Sequence, residues 1–349
     1  EYVTDYQYRE KSFSVNIIPE SGIFPVKQGQ LIGFSGNTGS SFGPLLHFEV
    51  RKSLSEHPVD PLQFYNIPDD IKPTIKQFTI YPLGKESLVQ GRSEKSSFPL
   101  IGSKGTYRPE SNSAIKVNGE FGVGLTAWDF LNNSWNKCGI RSLEVKVDSN
   151  IIYRHFLDEF SFGNTRYLNS HIDYDEYLRS RTYIQKAFLS PNNNLCIYDT
   201  LINEGRIKLT DNKTHKIELI ARDYAGNQSQ VTFTVQNDPV ISIAPVSDDA
   251  TTRIMPYNER NEFLRHDIKL VFPENTFYDT LAFDYMKTPG DSSVLADFHF
   301  VHNISVPVHK YFDISIKPSI SDSSLLEKAC IVALHNEELS FIGGKYSEG

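Results

Sequence analysis

Two stretches of the chain, residues 142–156 and 215–235, alternate apolar and polar residues in the way that half-buried strands do. In the first stretch, Leu143, Val145 and Val147 fall on one face, and the Asp-Ser-Asn sequence that follows them is a turn signal. The second stretch repeats this design, and its last strand places three apolar residues on one face: Val231, Phe233 and Val235. Both stretches are therefore predicted to be β-hairpins.

A different pattern lies between the hairpins, at about residues 164–188. Apolar and aromatic residues fall near helical spacing there, with polar residues between them. They are Tyr167, Tyr174, Tyr177, Leu178, Ile184 and Phe188. Because strand-like alternation occurs on both sides, we predict a helical insertion within a β-sandwich, to which strand candidates at 115–119 and 121–129 also contribute.

Two linker-like segments divide the chain. Residues 67–74 (IPDDIKPT) contain two prolines and two aspartates, which interrupt strand ladders, and residues 237–252 are the second segment. The predicted fold class is mainly β, with domains at 1–66, 75–237 and 253–349, the last incomplete in this sequence.

Two strand ends in the middle domain resemble each other, with the sequences AWDF at 127–130 and ARDY at 221–224. Each is soon followed by asparagine, and Asp and Asn at such positions can hydrogen-bond their own turn backbone. The second continues as the motif A-x-D-x-x-G-N and resembles the strand end of immunoglobulin-like modules. This resemblance implies an immunoglobulin-like sandwich for residues 75–237.

Composition narrows the classes of function. Of 349 residues, 39% are hydrophobic and 22% charged, which allows real cores, and the net charge of -8 argues against nucleic-acid binding. Cys138, Cys196 and Cys330 are odd in number and widely spaced, so they predict neither a disulfide framework nor a Cys-x-x-Cys metal site. No apolar run approaches the roughly 20 residues of a membrane span. Neither end resembles a natural terminus, so we expect the sequence to be part of a longer protein.

The glycine-rich stretch GFSGNTGSSFGPLLHFEVR, residues 33–51, has its own pattern. Its glycines suit tight turns with positive φ, and no Gly-Lys-Ser/Thr follows, which argues against a phosphate loop. In a strand after this loop, one face would carry Leu45, His47 and Glu49 towards a groove or solvent. The other face would enter the core with Leu46, Phe48 and Val50.

This run resembles the end of the catalytic domain of lysostaphin/LytM-type zinc peptidases, whose pattern is G-x-x-I-G-x-x-G-x-T-G followed by G-P-H-L-H-F-E. The resemblance covers about residues 22–62, including the Val-Asp-Pro sequence at 59–61. It implies the C-terminal half of a LytM-type β-sheet peptidase core, and a family that cleaves peptide cross-links in bacterial peptidoglycan. Localisation in the bacterial cell envelope, periplasmic or outer-membrane associated, follows from the same resemblance.

The resemblance also implies a tetrahedral zinc site with one open position for water. His47 stands where the second His of H-x-H binds the metal, and Leu45 stands where the first His assists catalysis. The glycine loop would line the substrate groove with Gly36, Asn37, Thr38, Gly39 and Gly43. The family's other ligands, a His and an Asp in H-x-x-x-D, lie upstream of this segment, whereas His47 is the first histidine of the chain.

Two hypotheses of different classes follow. In the first, the chain is an interaction protein whose degenerate peptidase segment serves as a scaffold or binding groove, with peptidoglycan peptides or envelope proteins as partners. The alternative is an active zinc metalloendopeptidase, if the missing upstream ligands exist. Leu45 favours the first, because leucine can neither move a proton nor stabilise an oxyanion, and losing one such group costs about 10² to 10³ in turnover.

Other candidate sites are weaker. A zinc site at His299 and His302 is disfavoured, because residues three apart in a strand face opposite ways. The H-x-x-x-D sequence His309–Asp313 mimics the family's first motif but lies downstream, in another predicted domain. A serine hydrolase lacks an ordered His and acid partner for Ser35, Ser40 and Ser41. A solvated helix face is expected at Asp173, Asp175 and Glu176. Turn formation, rather than calcium binding, is expected of Asp223 and Asn227.

Overall fold

The structure, a computed structural model, describes residues 1–37, 43–239, 253–320, 322–335 and 338–347. Strands far outnumber helices among these residues, which confirms the predicted mainly β fold class. The chain divides into two compact units, Glu1–Glu49 and Val50–Gly349. The finer domain boundaries given above remain predictions.

The first unit contains one helix, α1 (Tyr2–Glu10), which ends at Lys11 with a left-handed φ of 51°. Its described residues, 1–37 and 43–49, include no strand. Without a sheet to cover them, many apolar side chains of this unit are exposed: Phe13, Ile18, Leu31, Ile32, Phe34 and Leu46. The unit therefore has no apolar core of its own among the described residues.

The second unit begins with a short antiparallel pair and continues into a large sheet. The pair is β1 (Val50–Arg51) and β2 (Pro58–Val59). The strands of the large sheet are β3 (Thr74–Pro82), β4 (Leu88–Val89), β5 (Ser96–Ser103), β6 (Thr106–Pro109), β7 (Ile115–Asn118), β8 (Glu120–Trp128), β9 (Ser142–Val147), β10 (Asn150–Phe156), β11 (Gln185–Lys186), β12 (Tyr198–Leu201), β13 (Ile207–Lys208), β14 (Thr214–Arg222) and β15 (Gln228–Asn237).

The large sheet runs in the order β11-β8-β3-β5-β6-β15-β14-β9-β10-β12, with β13 on β8 and with β7 between β15 and β4. Both predicted hairpins are confirmed as β9–β10 and β14–β15. Asp148 and Ser149 have positive φ values of 47° and 71°, as a tight two-residue hairpin turn requires. Since β9 also pairs with β14, residues 143–147 and 231–235 belong to one sheet, as predicted.

One hydrophobic core is shared by β3 and β15, which are the first and last strands of this sheet along the chain. Phe78 of β3 and Phe233 of β15 stack with ring centroids 4.0 Å apart, although these strands are not hydrogen-bonded neighbours. The sheet therefore closes over a shared core, as a sandwich does. The remaining members of this core include Ile80, Phe121, Val123, Leu125, Leu143, Val145, Ile217, Leu219 and Val231.

The helical insertion lies between β10 and β11, but it is shorter than predicted. It comprises a 3₁₀ turn at Phe162–Tyr167 and the helices α2 (Leu168–His171) and α3 (Tyr174–Ser180). The prediction that helix continues to residue 188 is wrong. Ile184 and Phe188 flank β11 and are buried against β8, where the Ala187 N–H donates to the Val123 carbonyl.

Two glycines of β8 make room for this edge of the sheet. A Cβ built at Gly122 would lie 2.3 Å from the Phe188 ring, and one built at Gly124 would lie 2.9 Å from Ile184. The absence of side chains at these positions lets the residues that flank β11 pack on the strand.

We therefore expect Gly122→Ala to lower the free energy of unfolding by about 1–3 kcal/mol, the usual cost of overpacking a core. Gly139→Ala is the matched control, because a Cβ there meets nothing within 4 Å. Urea unfolding of both variants measures the difference. Equal stability of the two variants would contradict this packing.

The rest of the second unit is a set of small sheets around a separate core. Its elements are β16 (Arg253–Met255), β17 (Asn261–Leu264), β18 (Ile268–Phe272), β19 (Leu281–Phe283), β20 (Tyr285–Thr288), β21 (Phe298–Val301), β22 (Asp313–Ile316), α4 (Ser323–Leu326), β23 (Ile331–His335) and β24 (Glu338–Gly343). The core is built from Met255, Phe263, Ile268, Leu270, Phe272, Phe277 and Phe283. Short 3₁₀ turns also occur at Pro61–Gln63 and Asn203–Gly205.

The helical insertion and the loop between β11 and β12 contact this second core region. The Asn192 amide donates to the carbonyls of Asn275 and Phe277, at 3.1 and 2.8 Å. The Tyr278 hydroxyl donates to the Arg166 carbonyl at 2.5 Å, and the Tyr167 ring stacks on His309 at 4.0 Å. In the part of the chain that is described, no helix is long and apolar enough to cross a membrane.

Candidate functional site

The segment that carries His47 does not form the predicted strand. Residues 44–49 have no strand pairing, and the first strand begins at Val50. The expected division into a core face and a groove face is wrong, because Leu46 is 88% exposed and Phe48 57% exposed, while Leu45 is 56% exposed. A strand buries one face only when a neighbouring strand pairs with it, and the described residues of the first unit supply none.

His47 has one described partner. Its Nε2 lies 2.5 Å from Oε1 of Glu49, and its side chain is 72% exposed. The two residues are separated by one position, so their contact is local. Such a pair orients the imidazole but does not by itself assemble a metal site.

The predicted groove loop is only partly described. Thr38 and Gly39 lie outside the described residues. Gly36 and Asn37 are exposed, and a Cβ built at Gly43 would meet nothing within 4 Å. Gly29, four residues before this run, has a positive φ of 80°, whereas Gly33, inside the run, does not have the positive φ that was expected. The role of these residues in lining a groove stays a prediction.

The residues near His47 do not fit a catalytic zinc ion. Such an ion needs three protein ligands and an open position for water. Among the residues that the structure describes, no group of three His, Cys, Asp or Glu side chains with converging ligand atoms includes His47. Leu45 contributes no ligand atom. We therefore derive no reaction step through zinc at this segment.

The other histidines have separate partners. His299 lies 2.7 Å from the Tyr285 hydroxyl, and His302 accepts a hydrogen bond from the Asp284 N–H at 3.1 Å. His309 stacks on Tyr167 and lies 3.3 Å from the Tyr278 hydroxyl. These contacts are structural, and the described residues do not join the three histidines into a ligand group.

The acidic residues of the helical insertion were expected on a solvated face, and for Asp173 this expectation is wrong. Asp173 is 7% exposed, caps α3 by accepting from the Glu176 N–H at 3.0 Å, and accepts from the Tyr81 hydroxyl at 2.8 Å. The Lys95 ammonium lies 2.6 Å from Asp173 and within 3.5 Å of Asp175 and Glu176. Lys95 thus contacts all three acids, and Arg179 forms further ion pairs with Asp175 and Glu176.

A second acidic cluster was not foreseen from sequence. Asp129 follows β8, Asp223 follows β14, and Asp69 lies in the segment before β3. One oxygen atom of each carboxylate lies within 4.8 Å of the other two. The available signal was the repeated strand ending, AWDF and ARDY, together with the paired aspartates of the linker-like segment.

Asparagines hold this cluster in place. The Asn227 amide nitrogen donates to Oδ2 of Asp223 at 2.9 Å and to the Asp69 carbonyl at 3.0 Å. The Asn227 N–H donates to Oδ1 of Asp223 at 2.8 Å, which confirms the predicted turn. Asn132, after the other repeated strand ending, accepts from the Asp70 N–H at 3.2 Å. Both strand endings therefore bind the same linker-like segment.

The electrostatics of this cluster are unfavourable for three free carboxylates. Burial raises the pKa of Asp129 to about 7, and the neighbouring carboxylates of Asp223 and Asp69 add to the rise. Burial and Asp69 also raise the pKa of Asp223, against the hydrogen bonds from Asn227. Asp129 is 3% exposed, and its Oδ1 has no hydrogen-bond partner among the described groups.

Comparisons with known proteins match two parts of the chain. Residues 22–61 match the model of peptidase family M23, and residues 252–349 match the model of the Zu5-like domain. The first match covers the run that resembles the lysostaphin/LytM-type peptidases and supports that resemblance at the level of the peptidase family, which is generally zinc-dependent. Searches of curated proteins and of solved structures gave no match.

Proposed function

We propose that this chain is part of a bacterial cell-envelope protein in which the M23-like segment is a scaffold or binding module rather than a hydrolase. The observation that carries this proposal is Leu45. In the LytM-type peptidases that this segment resembles, the equivalent position holds the histidine that assists catalysis. Leucine can neither move a proton nor stabilise an oxyanion.

The surroundings of His47 support the same proposal. The imidazole is exposed and pairs locally with Glu49, and the described side chains around it do not make up a three-ligand site. The exposed apolar residues of the first unit, Leu46 among them, offer surface for contact with another molecule. Peptidoglycan peptides are the partner that the resemblance favours, and an envelope protein is the second candidate.

The alternative function is an active zinc endopeptidase completed by the H-x-x-x-D motif, which does not occur before His47, the first histidine of this sequence. The M23 match at residues 22–61 is compatible with either function, since a family match reflects ancestry whether or not activity is retained. The two functions differ most for a longer chain that supplies the upstream ligands, and activity of the chain as given would contradict the scaffold proposal directly.

We expect the 349-residue chain to release no soluble peptides from purified peptidoglycan, with or without added zinc. Leu45→His should not create activity, because this position assists catalysis in the family, and two of the three protein ligands that catalytic zinc requires would still be absent. The measurement is chromatography of released peptides, together with cosedimentation of the chain with peptidoglycan. Release by the unmodified chain that His47→Ala abolishes would overturn the proposal.

A further inference from the structure

The carboxylates of Asp69, Asp129 and Asp223 lack the cation that the chain's other acidic cluster possesses. Lys95 forms ion pairs with all three acids of the helical insertion. No lysine or arginine among the described residues forms an ion pair with Asp69, Asp129 or Asp223. Three carboxylate charges close together in a buried site raise the free energy of the folded state, unless a cation binds among them.

The spacing of the three carboxylates is compatible with one shared metal ion. Two oxygens that each lie about 2.4 Å from one ion are at most about 4.8 Å apart, and 2.3–2.6 Å is the range of calcium–oxygen distances. The ligand atoms of the three aspartates all lie within 4.8 Å of one another. Magnesium demands near-ideal octahedral geometry and usually keeps several waters, so a group of three protein carboxylates is more typical of calcium.

The chemistry of the ligands points to the same class of ion. All three candidate ligands are carboxylate oxygens, which hard cations prefer, and no histidine or cysteine belongs to the group. Independently, the buried Oδ1 of Asp129 has no described hydrogen-bond partner, so a strong acceptor in this cluster is left without a donor. A buried acceptor of this kind is expected to bind something.

We propose that Asp69, Asp129 and Asp223 bind a calcium ion, a role that the sequence alone disfavours for Asp223 and that the grouping of the three carboxylates suggests. Calcium takes six to eight oxygen ligands, so water and carbonyl oxygens complete the shell. The ion links three parts of the chain that are distant in sequence: the linker-like segment and the ends of β8 and β14. Asn227 and Asn132, which already bind that segment, preorganise the site. Calcium binding therefore fixes the segment that leads into the sandwich.

The test compares thermal unfolding of the metal-free chain in excess EGTA, in millimolar calcium and in millimolar magnesium at equal ionic strength. A ligand that binds only the folded state stabilises it in proportion to the logarithm of its concentration. At calcium 100-fold above Kd we expect Tm to rise by roughly 5–10 °C, with a smaller rise in magnesium. Isothermal titration should give one calcium per chain.

Asp129→Asn is the decisive variant. It should greatly reduce the calcium shift, because the amide oxygen that remains is an uncharged ligand, while leaving Tm in EGTA no lower than that of the unmodified chain, because removal of one charge relieves repulsion. Asp173→Asn is the matched control and should lower Tm in EGTA but keep the full calcium shift, since it breaks only the Lys95 cluster. If Asp129 had a purely structural role, Asp129→Asn would instead lower Tm in EGTA and keep the full calcium shift, as is expected of Asp173→Asn.

Two results would overturn the proposal: no calcium shift and no binding heat in the unmodified chain, or a full calcium shift in Asp129→Asn. If Asp129→Asn fails to fold, Asp69→Asn takes its place, because Asp69 lies on the less buried side of the cluster. Titration heat that is unchanged in Asp69→Asn would likewise contradict the assignment.

Discussion

Phe78→Ala should lower the free energy of unfolding of the second unit by about 3–5 kcal/mol, the usual cost of truncating a buried phenylalanine. Phe78 is fully buried and stacks on both Phe98, at 4.9 Å, and Phe233, at 4.0 Å. Its loss leaves a cavity where two non-neighbouring strands meet. Urea unfolding followed by circular dichroism measures the change.

Phe300→Ala is the matched control, because Phe300 lies on β21 with 47% of its surface exposed. We expect this variant to stay within about 1 kcal/mol of the unmodified chain. A similarly small loss in Phe78→Ala would mean that β3 and β15 do not share a core, and the closed arrangement of the large sheet would be wrong.

The second large effect is on the pH dependence of stability, through two buried histidines. The rings of His155 and His171 meet edge to face at 5.0 Å, and the Nε2 atoms of both lack a partner among the described groups. Burial lowers the pKa of His155 well below its usual value, and the neighbouring His171 adds to this. Burial lowers the pKa of His171 to about 4, helped by Lys186.

These depressed pKa values mean that the folded chain binds fewer protons than the unfolded chain between about pH 4 and pH 6.5. The stability they contribute is present above pH 6.5 and is lost as the pH falls through this window. For His171, burial is complete, and the loss is on the order of 3 kcal/mol across the window.

Asp129 contributes with the opposite sign, because its pKa is raised to about 7 and protonation favours the folded state as the pH falls. The histidine contribution is therefore measured as a difference between the unmodified chain and a variant with both His155→Gln and His171→Gln. We expect the variant to lose less stability between pH 7 and pH 4.5. Parallel pH profiles would show that the histidines are not buried as neutral groups.

The sequence pattern predicts those elements of the fold that are determined by residues close together along the chain. The β9–β10 hairpin follows from alternation and from the turn residues at 148 and 149, which adopt the expected positive φ. The helix prediction fails after residue 180 because Ile184 and Phe188 sit at helical spacing yet pack on β8 as an edge strand. Tertiary pairing overrides a short periodic pattern in such segments.

The acidic cluster after β8 and β14 could not be predicted from the sequence. Asp69, Asp129 and Asp223 are separated by tens of residues, and only the pairing of β3 with β8, together with the closure of the sheet, brings their carboxylates together. The sequence contains the repeated strand endings, but it does not state which strands are neighbours. Contacts between distant strands are set by topology rather than by local pattern.

For the M23-like segment, the sequence shows the family resemblance and the replaced residue but does not predict the local backbone structure. The family match at residues 22–61 agrees with the sequence resemblance, and residue identity alone shows the replacement at Leu45. The predicted strand at 45–49 fails because strand pairing requires a partner that the described residues of the first unit do not contain. The role proposed for His47 therefore rests on the residue types around it, and not on a sheet that holds it in place.

Zinc content of the purified 349-residue chain tests the central proposal most directly. The chain is equilibrated with zinc, separated from free metal by gel filtration, and analysed by mass spectrometry beside a His47→Ala variant. We expect both proteins to carry the same amount of zinc, well below one ion per chain. One zinc ion per unmodified chain, lost in His47→Ala, would contradict the account and indicate a working metal site at His47.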